Sequence, residues 1–113
     1  MTGQPHQGVT QIRPDEVAVG ATILDVREDD EWLAGHVQGS IHMPMREVTA
    51  RWGELQAADD VVVVCRHGVR SYQVTAYLAR SGVAAVNLDG GLVAWARAGR
   101  PVVTADGANG QVI

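Results

Sequence analysis

The chain has 113 residues, enough for one domain and too few for two separate cores, so a single site is expected. Its 46% hydrophobic content suits a globular fold, and the longest apolar run, Val61 to Cys65, falls far short of the ~18 residues of a membrane span. The net charge of −4 speaks against nucleic acid as a partner, and because all nine basic residues are arginine, Schiff-base chemistry, a P-loop lysine and a Ser-Lys dyad are excluded.

The opening residues 1–8 read as an N-terminal extension. They show neither a basic start with an apolar stretch nor a small-residue cleavage pattern, so a cytoplasmic location is expected, with no membrane contact. "GVTQI" then reads as a short strand and "RPDEVAVG" as a short helix with Pro14 in its first turn. "ATILDV" is a second strand leading into "REDDEWLAG", a helix with acidic residues at its start and a Gly stop. "GSIHMP" predicts a third strand and "REVTARWGEL" a helix. "DDVVVVC" is apolar throughout its second half, as a strand buried on both faces requires, and is the expected central strand.

From Ser71 the spacing changes. Val74, Tyr77 and Leu78 fall at i, i+3 and i+4 in "SYQVTAYLARSG", with Ser71 as candidate N-cap and Gly82 as the stop. "VAAVNLDGG" is a fifth strand and "GLVAWARAG" a last helix, followed by a tail over 104–113 with little to bury that is expected to be flexible. This alternation predicts an α/β domain over residues 9–103, with a central, mostly parallel five-stranded sheet flanked by helices on both faces.

Cys65 is the only cysteine, so no internal disulfide exists and the thiol is explained by packing or by chemistry. A lone cysteine at a strand end is more often core than nucleophile. The residues after it, "RHGVRS", reverse that preference, since core filling does not account for two arginines, a histidine and a glycine beside one thiol. The carboxyl end of a central strand is where open α/β sheets place ligand sites. A tight turn running into a helix N-terminus makes an anion cradle, Gly68 permits the backbone angles it needs, and a cysteine held there is expected to act as the thiolate.

"CRHGVRS" resembles the active-site loop of the rhodanese family, in which a cysteine opens a short loop closed by arginine. Two further stretches are similar to signatures of the same family, "ILDVREDDEWLAGHVQGSIHMP" and "LDGGLVAWARAGRPV", in the expected order. The resemblance implies sulfur transfer. Cys65 takes the outer sulfur of a small anionic donor such as thiosulfate, or of a persulfide-bearing protein, and passes it to cyanide or a thiol. Arg66, His67, Gly68, Val69, Arg70 and Ser71 form the active-site and anion-binding loop. A sulfur-relay or regulatory binding module with incidental thiosulfate activity stands as the alternative. Phosphatase and arsenate-reductase loops place arginine and its neighbours over one more residue, and here Arg70 at Cys+5 closes a shorter loop suited to a single sulfur atom.

Asp25 and Arg27 in "LDVRE" end the second strand near the same sheet edge. The resemblance gives Asp25 the role of holding the loop; a plain ion pair or a helix cap is the other reading, and for Arg27 the two stand level. His67 is left open between specificity and simple exposure. His36 reads as a structural histidine bonded to backbone, and His42 and His6 form no set with Cys65, so neither metal nor cofactor is expected. Trp32 and Trp95 suggest core packing more than a stacking platform, Gly90 and Gly91 a close turn against the loop, and "REDDEW" a solvated helix start or a surface for a basic partner.

Overall fold

A computed structural model of the chain describes residues 9–55 and 60–113. The expected extension over 1–8, with His6, and the expected start of the fourth strand at Asp59 lie outside the described residues. Five strands form one parallel sheet: β1 (Gln11–Ile12), β2 (Thr22–Asp25), β3 (Ile41–His42), β4 (Val61–Val64) and β5 (Ala85–Leu88), in the order β1-β5-β4-β2-β3. Four α-helices accompany them, α1 (Asp29–Ala34), α2 (Val48–Arg51) and α3 (Val69–Arg80) between strands and α4 (Gly91–Arg97) after β5.

β4 takes the centre for the reason its sequence suggests. Val61 and Val63 point into one core cluster with Val48 of α2 and Val74 and Leu78 of α3, while Val62 and Val64 point into the other with Leu92 and Trp95 of α4. A valine fully buried in this way stabilises the fold by about 1.5–3 kcal/mol, so a charge anywhere in the run would break the sheet. The chain order reverses direction across the sheet at β4, which puts its carboxyl end at the switch point where α/β sheets open a crevice.

Several expected elements are shorter than read. The helix over 13–20 is a single 3₁₀ turn, Pro14–Glu16, because its residues are nearly all exposed and only Val17 is buried to hold it down. The helix over 46–55 is divided into a 3₁₀ turn (Met45–Glu47), α2 and a second 3₁₀ turn (Trp52–Leu55). The C-terminal residues differ more. In place of a free tail, Val103 bridges both His36 and Asn109, Gly110 N donates to Val102 O (2.9 Å), Gln111 N donates to Ala34 O (2.8 Å), and Val112 packs against the α4-side core. Backbone donors that composition cannot foresee, together with one valine, tie residues 109–112 to α1 and the strand-end connection. Among the described residues no helix is long and apolar enough to cross a membrane.

Candidate active site at the end of β4

Cys65 follows β4 directly and is 1% exposed. Three donors converge on its Sγ: Gly68 N at 3.1 Å, Ser71 N at 3.3 Å and Ser71 Oγ at 3.2 Å. The geometry depends on where α3 begins. Spacing places the helix start at Ser71, whereas the helix begins at Val69, with Gly68 at the cap in the left-handed region (φ 96°). Ser71 is therefore not the N-cap. It is the third helical residue, so its free N–H and its hydroxyl both turn inward to the sulfur. The turn demands φ > 0 at position 68, which glycine adopts without steric cost. The N–H groups of this first turn have no partner within the helix, and two of them face the sulfur.

The loop is held from the side by β5 and α4. Asn87, fully buried in β5, donates through Nδ2 to Gly68 O (3.1 Å) and to Gln11 Oε1 (2.9 Å), while its Oδ1 has no partner among the described residues. The first turn of α4 donates Leu92 N to Cys65 O (2.8 Å) and Val93 N to Arg66 O (3.0 Å). This approach needs glycine at position 91, where a Cβ would lie 2.6 Å from Cys65 O and closer still to Arg66 O, as the reading of Gly90 and Gly91 anticipates.

The two loop arginines face oxygens of their own protein. Arg66 donates through Nε to Ile113 O (2.8 Å) and through Nη1 to His67 Nε2 (2.9 Å). Arg70, a third of its side chain exposed, donates end-on to Glu31 of α1, Nη1 to Oε1 at 2.8 Å and Nη2 to Oε2 at 2.9 Å. The Arg70 hydrogen bond holds the Glu31 carboxyl well below its ordinary range, at about 2, against the opposing effect of burial. The same bond raises the Arg70 pKa, and Cys65 is among the nearby groups whose charge adds to it. Val69 is exposed and points away from the core.

Asp25 and Arg27 sit at the end of β2, both without solvent exposure. Arg27 donates Nε to Asp25 Oδ1 (2.9 Å), Nη2 to Oδ2 (2.8 Å) and Nη2 again to Gly35 O (2.7 Å), and its backbone N reaches Asp25 Oδ1 at 3.1 Å. Among the described residues no hydrogen bond from either side chain reaches the Cys65 loop. The pair ties the end of β2 to the end of α1, and Asn87 with the α4 N-terminus does the holding that the resemblance gives to Asp25.

His36 is bonded to backbone as expected, Nδ1 donating to Trp32 O (2.8 Å), and His42 Nε2 donates to Arg27 O (2.8 Å). Both rings stack on Trp32, with centroids 3.6 and 4.7 Å away. Trp32 is thus a half-buried stacking platform for two histidines, unlike Trp95, which is buried in the core. Sequence reasoning passed over Asn87 and Glu31. An asparagine inside the apolar run "VAAVNL" was a usable signal for the first; nothing in the sequence pairs Glu31 with a residue 39 positions away.

The Rhodanese-like domain family model matches residues 10–98. A sulfurtransferase of Allochromatium vinosum is 41% identical over 86 residues, covering 75% of this chain and 80% of that protein. The thiosulfate sulfurtransferase GlpE of Pseudomonas putida is 36% identical over 107 residues, 92% of each chain. The crystal structure of a rhodanese-related protein from Thermoplasma volcanium superposes with a TM-score of 0.79 at 32% identity, over 83% of this chain and 97% of that one. With its parallel sheet, its cysteine loop and these relatives, the chain belongs to the rhodanese-like domain family.

Proposed function

We propose that this protein is a sulfurtransferase that carries sulfur as a persulfide on Cys65. The observation that carries the reading is the convergence of Gly68 N, Ser71 N and Ser71 Oγ on one sulfur atom at the N-terminus of α3. Such donors stabilise a thiolate before the reaction and the anionic persulfide after it, with no reorganisation during it. In the first step the Cys65 thiolate attacks the outer sulfur of thiosulfate. A new S–S bond forms, the bond from that sulfur to the sulfonate breaks, and sulfite leaves with the electron pair. In the second, cyanide or a thiolate attacks the terminal sulfur, and Cys65 leaves as the thiolate. Atoms and electrons balance with one cysteine and no cofactor.

Because Cys65 is almost fully covered, the donor enters as the loop around it, with half-buried Arg66 and Arg70 and exposed His67, opens. The cytoplasm is the compartment that keeps a lone thiol reduced. Intact mass after incubation with thiosulfate tests the reading. Wild type gains the mass of one sulfur atom and Cys65→Ser gains none; equal behaviour of the two overturns it. Comparing turnover of thiosulfate with sulfur uptake from a protein persulfide then identifies the donor.

A further inference from the structure

The reaction as proposed needs positive charge beside Cys65, yet the arginine that closes the loop is already engaged. Glu31 meets the Arg70 guanidinium end-on with both carboxylate oxygens, and it reaches across from a different helix. The carboxylate is itself fixed, since Oε1 also accepts Glu28 N (3.0 Å) and the Glu31 backbone N–H is taken by Asp30 Oδ1 (2.9 Å). Only 14% of the Glu31 side chain is exposed, against 35% for Arg70. End-on pairing uses one hydrogen on each Nη and leaves Nε–H and the two remaining Nη hydrogens for a ligand. Arg70 also precedes Ser71, whose N–H lies on Sγ, so a clasp on Arg70 acts on the first turn of α3.

We propose that Glu31 is a positioning and specificity residue: it fixes Arg70 beside the sulfur and cancels its charge, and so sets how tightly an anionic donor is held. This rests on the sulfur-transfer reading above. A dianionic donor approaching Arg70 meets a neutral pair in place of a free cation, and the nearby carboxylate opposes it. Weak binding of small anions is the consequence.

The test is steady-state kinetics with thiosulfate on folded wild type, Glu31→Gln, Asp29→Asn, Arg70→Gln and Arg70→Gln/Glu31→Gln. Glu31→Gln keeps the shape and one acceptor while removing the charge, and its KM is expected to fall roughly five- to tenfold with kcat within twofold. That lower KM rises steeply with added salt, which a merely structural tether would not produce. In the Arg70→Gln background the gain disappears. Asp29→Asn, which removes an exposed charge on the same helix, leaves KM within twofold. A KM unchanged or raised in Glu31→Gln, a gain that survives loss of Arg70, or an equal gain in Asp29→Asn overturns the role of Glu31. Wild type that acquires no sulfur on Cys65 overturns the proposed function instead, whatever Glu31 does.

Discussion

Two arginine–carboxylate pairs lie at the carboxyl edge of the sheet, and they are built to opposite standards. Asp25 and Arg27 are two residues apart, excluded from solvent and joined by several hydrogen bonds, with Arg27 Nη1 buried and without a partner among the described residues. Glu31 and Arg70 come from different helices and keep contact with water. The first pair owes its strength to isolation, so removing one partner strands a charge in the interior. In the second pair, water stands ready to replace a lost partner. The buried pair therefore acts as scaffold, and the open pair is the one that can be adjusted without unfolding the domain.

The sharpest way to break this contrast is Asp25→Ala. It leaves Arg27 charged and uncompensated, and the expected loss is about 3–5 kcal/mol in chemical denaturation. Replacing both partners with apolar residues of similar size, Asp25→Leu with Arg27→Met, recovers most of that loss, because no charge remains to be desolvated. A double variant as unstable as the single one would show that the hydrogen bond to Gly35 O, and not the charge, is what matters.

At the open pair, Glu31→Gln is expected to cost only about 1 kcal/mol, since Arg70 stays partly hydrated. The smallest effect is on acid stability. The Glu31 carboxyl titrates at about 2 in the folded protein against 4.5 ordinarily, so its contribution is complete above about pH 4.5 and is lost as pH falls towards 2. Discounted for the solvent around Arg70, that contribution stays below about 1 kcal/mol. Denaturation midpoints of Glu31→Gln should accordingly depend less on pH between 4.5 and 2 than those of wild type.

The sheet was legible because its signal is local and redundant. Four consecutive valines read as a buried strand in a domain this short, and alternating strand and helix patterns fix a parallel sheet around them. Cys65 and Gly68 were legible because their neighbours fit no core role. What the sequence hid depends on the third dimension. Ser71 as an N-cap and Ser71 as a donor to sulfur look the same in one dimension, and the two-residue difference in helix start decides between them. The resemblance gives Asp25 the role of holding the loop, but a buried carboxylate takes the nearest strong donors, and those belong to Arg27. The C-terminal fold-back rests on backbone N–H groups, which every residue carries and no composition reports.

The depth at which Cys65 lies has a consequence for handling and storage. A disulfide demands two sulfur atoms about 2.05 Å apart, and two copies of this chain, each with its one thiol buried, meet that distance only if both loops open at once. Preparations kept in air should stay free of covalent dimers on non-reducing gels. Inactivation on ageing should come from small peroxides that add oxygen to the sulfur and should resist rescue by dithiothreitol once two oxygens are attached.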